Sequence, residues 1–185
     1  MNRTRFAVVM LTTFVLMTSG CDTGLGPLNE ASGITGVVHI KNWPRQDSVL
    51  NLRVVALTAI PRLSGGITPG TYLLIEWANG RGSFYPPGFT GKGLLDSLNA
   101  NRYGVDTSLR FTFTDLGSNL RVGEYAYIAV AQQYGPDVFN QWKVAGLYVI
   151  PPDTLNPAPV RVLLHRLTPN VDITVDFHNP PPQPW

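Results

Sequence analysis

The chain has 185 residues, of which 44% are hydrophobic and 14% are charged, with 14 Lys and Arg against 12 Asp and Glu and a single cysteine. This composition is typical of a packed domain and excludes a disordered chain. The charges form neither the basic patch of a nucleic-acid-binding protein nor an acidic run. One cysteine excludes an internal disulfide, so burial must stabilise the fold.

The first residues predict an export signal. Arg3 and Arg5 precede an apolar run over 6–17, and small residues then lead to Cys21. A positive start, a short apolar core and small residues before a cleavage site indicate a secretory signal peptide over residues 1–20. The apolar run is too short for a membrane span, which needs about 20 apolar residues. Removing Arg3 and Arg5 lowers the 14 basic residues to 12, equal to the 12 acidic ones.

The stretch Thr18-Ser19-Gly20-Cys21 resembles the lipobox of bacterial lipoproteins. The resemblance implies that Cys21 is diacylated, that the signal is cut before it, and that membrane lipid is its partner, at the inner or outer membrane of the cell envelope. Two or more acyl chains anchor a protein stably. The lipobox usually has Leu where this chain has Thr18. Two alternatives stay open: ordinary secretion with an unmodified Cys21, or an uncleaved N-terminal anchor.

Beyond the signal, the pattern predicts a short tether over 21–32, one domain over 33–178 with a loop-rich insert over 65–106, and a Pro-rich tail over 179–185. Runs rich in β-branched and aromatic residues, bounded by Gly, Pro and Asn, predict strands. These runs cover 34–40, 49–60, 71–77, 108–114, 121–133, 142–150, 160–167 and 171–177. Residues 81–93 are too rich in Gly and Pro for a regular element, and 94–99 suits one helical turn.

Seven or eight strands with almost no helix predict an all-β fold, a single antiparallel β-sandwich. A closed barrel is the competing architecture. Three segments, 33–38, 52–57 and 123–130, resemble the transthyretin-like, carboxypeptidase-regulatory sandwiches of the prealbumin and Ig type. That resemblance implies a non-catalytic binding or spacer module and brings no catalytic residues. The insert over 65–106 departs from the simple family.

Catalytic motifs are missing from the sequence. It has no G-x-S-x-G nucleophile elbow, and 88–93 lacks the spacing of a phosphate-binding loop. Asp172, Asp176 and His178 share the polar face of the last predicted strand, where a weak cation site or a solvated face are both conceivable. We therefore expect no enzyme activity, no cofactor and no metal, with a hydrolase using scattered acids as a remote alternative.

Aromatic residues are the better indication of function. Four tryptophans lie near strand ends, and four aromatic side chains are predicted as the ligand-binding residues: Trp77, Phe84, Tyr85 and Phe89. Exposed aromatics on a rigid domain stack on sugars or anchor a protein partner. The alternative is that they cap the core. The sequence thus predicts an envelope lipoprotein with a binding or structural module for a protein partner, or else a carbohydrate-binding module.

Overall fold

The computed structural model describes residues 31–45, 48–98 and 104–185. The predicted signal peptide, Cys21 and most of the predicted tether lie outside the described residues. The described elements, in chain order, are β1 (Gly33–Lys41), β2 (Asn51–Leu57), α1 (Pro69–Ala78), β3 (Gly82–Tyr85), a 3-10 helix (Leu94–Ser97), β4 (Thr107–Thr114), β5 (Gly123–Tyr125), β6 (Tyr127–Gln133), β7 (Trp142–Leu147), β8 (Val160–Val162), β9 (Leu167–Thr168) and β10 (Ile173–Asp176).

A curled sheet with the strand order β3-β2-β6-β7-β10-β1-β4 dominates the fold, and the short strands β5 and β8 form a second pair. The expectation of a mostly β chain is confirmed. The expectation of a purely antiparallel arrangement is wrong, because β1 pairs in parallel with both β9 and β10. Parallel neighbours need a long connection, and nearly the whole chain separates β1 from these two strands.

The inner face of the curled sheet forms the larger core. On β4, the alternation predicted from the sequence is confirmed, because Leu109, Phe111 and Phe113 are buried. The ring centroids of Tyr85 on β3 and Phe113 on β4 lie 5.7 Å apart, so the two outermost strands of the sheet approach each other. The inner face is therefore closed by aromatic packing as well as by the curl.

The outer face of β2, β3, β6 and β7 carries a second buried cluster, which α1 covers. The strand predicted over 71–77 is wrong, because this segment lies within α1. The helix begins after Thr68, whose side-chain oxygen accepts from the backbone N–H of Thr71, and a proline occupies its first turn. Both are helix-start signals that outweighed the local β propensity of the Tyr, Leu and Ile residues.

Three other predicted boundaries differ from the structure. β3 lies within the segment that was predicted to be irregular, where it pairs with β2 through Phe84 opposite Val55. The long run over 121–133 is divided between β5 and β6, and the run over 160–167 contains β8 and the start of β9. The helical turn predicted near residue 94 is confirmed as the 3-10 helix. Across the described ranges, no helix is long and apolar enough to cross a membrane.

Candidate functional site

The four predicted ligand-binding aromatics do not form one surface. Phe84 and Phe89 have ring centroids 4.6 Å apart, and Trp77 lies 6.1 Å from Phe89 in an edge-on arrangement. These three rings pack together beside α1 on the outer face. Tyr85 points to the opposite face, against Phe111 and Phe113. Phe84 is only 1% exposed, so its ring is part of the core.

The loop over 86–93 is held by a buried arginine. Arg53 is 1% exposed, and its guanidinium donates to the backbone carbonyls of Pro86 and Thr90. Its neighbour Asn51 donates from Nδ2 to the carbonyl of Gly91 over 3.1 Å. Burial lowers the pKa of Arg53, while the nearby Asp96 carboxylate raises it. The loop that carries Phe89 is thus held by two polar side chains of β2, Arg53 and Asn51.

Sequence reasoning missed this role for Arg53, although the sequence contained a signal for it. Arg53 is the one charged residue of β2, a mostly apolar strand whose residues are all buried. Charged side chains are almost never fully buried unless they are paired. A lone arginine within such a strand therefore indicates that backbone carbonyls or a carboxylate will meet it.

A groove of about 700 Å³ opens at the end of the sheet where β1 finishes. We call it the end groove. Its lining combines aromatic rings with amide, hydroxyl and amino groups. The lining residues are Pro44, Ser48, Gln132, Tyr134, Trp142, Lys143, Phe177, Gln183 and Trp185. Two of the four tryptophans noted in the sequence, Trp142 and Trp185, line this groove, and neither is among the predicted ligand-binding residues.

The lining of the end groove is partly rigid and partly exposed. Trp142 is buried, and its Nε1 donates to the carbonyl of Val138 over 2.8 Å. Tyr134 is 43% exposed, and the Nζ atom of Lys143 lies 5.9 Å from the centre of its ring. The groove therefore combines a fixed indole with an exposed phenol and an ammonium group. These side chains can make both apolar and polar contacts with a ligand.

Gln132 supplies a buried amide to the lining of the same groove. It is 1% exposed, and its Nε2 donates to the carbonyl of Ser48 over 2.7 Å. Its Oε1 atom is buried with no hydrogen-bond partner among the described residues. A buried acceptor without a donor costs about 1–3 kcal/mol.

The Pro-rich tail packs against the sheet beside the end groove. The side-chain amide of Gln183 accepts from the backbone N–H of Val144 over 2.7 Å and donates to its carbonyl over 3.0 Å. β10 pairs with β7 only at Gly146 and Leu147, so the first half of β7 lacks that neighbour. The Gln183 amide therefore makes the two backbone hydrogen bonds at Val144 that a neighbouring strand would otherwise make. Trp185, two residues later, packs against the outer cluster.

A second groove, of about 680 Å³, lies on the other side of the tail along the polar face of β10. Its carboxylates already have partners. Asp172 accepts from the backbone N–H of Val37 over 2.9 Å. Asp176 accepts from Asn42 Nδ2 and from the backbone N–H of His178, and these bonds lower the pKa of Asp176. Within the described ranges, no group of three or more His, Cys, Asp or Glu side chains is placed to hold a metal ion.

The end groove lies at the opposite end of the domain from the start of the described chain. β1 runs from Gly33 at one end of the domain to Lys41 at the other. The residues that line the groove lie at or beyond the ends of β1, β6 and β10, or close to the starts of β2 and β7. A strand rises about 3.3 Å per residue, so the nine residues of β1 separate the two ends by about 26 Å.

Comparison of the chain with protein-family models, with curated proteins and with solved structures finds no match in any of the three.

Proposed function

We propose that this chain is an envelope lipoprotein, anchored by acyl chains on Cys21, whose β domain is a non-catalytic binding or structural module. The anchor is supported by the lipobox-like stretch that ends at Cys21. The single observation that supports the binding role most strongly is the end groove. It presents aromatic and polar side chains about 26 Å from the strand end nearest the anchor.

Within that proposal, we class the domain as a β-sandwich of the prealbumin and Ig type, with β3, β2, β6 and β7 facing β10, β1 and β4. One contact supports this class. The hydroxyl of Tyr125 donates to the carbonyl of Arg121 and accepts from its backbone N–H over 2.8 Å. A tyrosine that bonds back to the chain a few residues earlier is the tyrosine corner of many sandwiches.

A protein partner is the occupant that we favour. The turn before β7 exposes Val138 and Phe139 beside Tyr134, and all three side chains are close to half exposed. Aromatic side chains at the centre of a concave surface are the usual anchors of protein interfaces. In an envelope lipoprotein, this end would face away from the lipid, where another envelope protein can reach it.

A carbohydrate-binding module is the second candidate, and the composition of the end groove favours it specifically. Sugars are bound by rings that stack on their apolar faces and by polar groups that bond to their hydroxyls. The groove offers Trp185 and Tyr134 for stacking, and the hydroxyl of Ser48 and the ammonium group of Lys143 for hydrogen bonds. In this candidate the binding residues are those of the end groove, because Phe84 is buried and Tyr85 faces the inner core.

Site-specific cross-linking in cells separates these candidates. A photo-activated amino acid such as p-benzoylphenylalanine replaces Tyr134 in one variant and Trp77 in a second. The two positions are similarly exposed, at 43% and 39%, but only Tyr134 lies in the end groove. The proposal predicts a protein adduct from position 134 and none from position 77. Adducts from position 77 alone would instead favour the aromatic cluster beside α1.

The carbohydrate candidate has its own measurement. Purified protein is applied to a glycan array, together with the variants Trp185→Ala and Trp77→Ala. Binding that Trp185→Ala abolishes and Trp77→Ala preserves would establish a glycan as the ligand of the end groove. If the array shows no binding and position 134 gives no protein adduct, the end groove is not a binding site and the binding role is wrong.

A further inference from the structure

The end of the domain opposite the end groove exposes a group of leucines. Leu116, in the turn after β4, is 85% exposed, and Leu164, in the turn after β8, is 64% exposed. Leu163 and Leu167 flank the second of these turns and are also exposed, as are the basic residues of the same segment. We call this set the tether-side surface: Leu116, Arg161, Leu163, Leu164, Arg166 and Leu167.

Hydrogen bonds fix both turns to the residue that precedes β1. The carbonyl of the buried Ser32 accepts from the backbone N–H of Asp115 over 3.0 Å, and its hydroxyl oxygen accepts from the backbone N–H of His165 over 3.0 Å. Leu116 and Leu164 are the chain neighbours of these two donors, so their Cα atoms lie about 3.8 Å from the donors' Cα atoms. Ser32 therefore places both exposed leucines beside the start of the domain.

The strand pairing confines the same segment further. The backbone N–H of Gly33 donates to the carbonyl of Arg166 over 3.0 Å, and Gly33 pairs with Leu167. A Cβ atom on Gly33 would lie 2.1 Å from the carbonyl oxygen of Phe113, so only glycine fits between the two neighbouring strands. The tether-side surface is thus built around the chain at the point where it leaves the predicted tether.

We propose that the tether-side surface rests on the lipid bilayer that holds Cys21. This proposal depends on the proposed lipid anchor. Twelve residues lead from Cys21 to Gly33, and even fully extended they span about 40 Å. The anchor therefore holds this end of the domain within about 40 Å of the lipid, where it can meet the bilayer repeatedly. Exposed leucines with neighbouring cations match the two components of membrane-surface binding, apolar insertion and attraction to anionic headgroups.

The charges of this end favour an anionic lipid surface only modestly. Arg161 and Arg166 are exposed, with His165 between them. Two acidic residues lie nearby: Asp115 is in the neighbouring turn, and Glu124 on β5 is opposite Arg161 on β8 in the strand pairing. The leucines are therefore the main contacts, and the cations orient them. With this end on the bilayer, the end groove opens away from the membrane.

Fluorescence quenching from lipid tests the proposal on the full-length lipoprotein. Acylation blocks the thiol of Cys21, which is the single cysteine of the chain, so a variant Leu164→Cys carries the only free thiol. That thiol is labelled with an environment-sensitive dye, and the protein is reconstituted into phosphatidylethanolamine and phosphatidylglycerol vesicles that carry a lipid-attached quencher. The matched control is Val138→Cys, whose native side chain is 48% exposed at the opposite end of the domain.

The expected result is that the quencher lowers the signal at position 164 by about half and leaves that at position 138 nearly unchanged, since interfacial side chains enter the bilayer by roughly 5–10 Å. The intact mass of the same sample reports the acyl chains. With the acyl chains present, equal quenching at both positions would overturn the membrane contact and leave the lipoprotein proposal standing. A mass without acyl chains would overturn both.

Discussion

Replacing Phe84 by alanine tests whether the aromatic cluster beside α1 is core or binding surface. The ring of Phe84 is 1% exposed and packs on that of Phe89, with centroids 4.6 Å apart. On β3 it faces the outer cluster that α1 covers. Phe84→Ala therefore removes a buried ring from a packed interior and leaves a cavity.

The expected loss is large because two costs add. A buried Phe→Ala change loses the transfer free energy of the ring and creates a cavity, which together lower the free energy of unfolding by about 3–5 kcal/mol. In a domain of this size, each kcal/mol lowers Tm by about 2–4 °C, so Tm should fall by about 10 °C. Phe139→Ala is the matched control. Its ring is 50% exposed, so no cavity forms and the expected loss is about 1 kcal/mol.

Urea unfolding followed by tryptophan fluorescence measures both variants, with the free energy of unfolding taken by linear extrapolation. Phe84→Ala should shift the midpoint to much lower urea, while Phe139→Ala should stay near the wild-type midpoint. If Phe84→Ala unfolds within about 1 kcal/mol of wild type, the ring is not core and the packing described for the outer face is wrong.

Three further predictions concern polar side chains whose hydrogen bonds hold parts of the fold together. Arg53→Lys keeps the charge but cannot reach two carbonyls with one ammonium, so the free energy of unfolding should fall by about 1.5–3 kcal/mol in urea titrations; an unchanged value would contradict the role of Arg53. Gln183→Ala removes the acceptor for the Val144 amide, which should then exchange its hydrogen faster; unchanged protection would show that the tail does not pair with β7. The pKa of Asp176 is lowered by Asn42 and the His178 amide, so its stabilising effect is complete above the unfolded pKa of about 3.9 and is lost as pH falls through the lower folded-state pKa. Urea midpoints of wild type and Asp176→Asn should therefore differ at pH 7 and converge below about pH 4; a constant difference would refute this.

The alternation of apolar and polar residues predicted correctly those segments in which it fits only one type of secondary structure. The alternation of Leu109, Phe111 and Phe113 with polar residues predicted the inward face of β4, because side chains alternate along a strand. The segment 71–77 was misjudged because its Tyr, Leu and Ile residues suit a buried strand as well as a helix. The helix-start signals at Thr68 and Pro69, which lie just before it, decide for the helix.

Non-local arrangement could not be predicted from the same pattern. The parallel pairing of β1 with β10 joins residues more than 130 positions apart, and no turn between them sets their direction. The end groove likewise brings together Ser48, Gln132 and Trp185 from three distant segments. The sequence marked aromatic residues as the best indication of a site, yet only the fold determines which rings are buried and which line a groove.

Replacing Cys21 by serine tests whether acyl chains on this residue anchor the protein to the membrane. The wild-type chain and the variant are expressed in a bacterial host, and the cells are separated into membrane and soluble fractions. The lipoprotein account predicts that the wild type stays with the membrane and leaves it only with detergent, because two or more acyl chains anchor it stably. It predicts that the variant appears in the soluble fraction or the medium. A Cys21→Ser variant that remains in the membrane fraction as fully as the wild type would contradict the account.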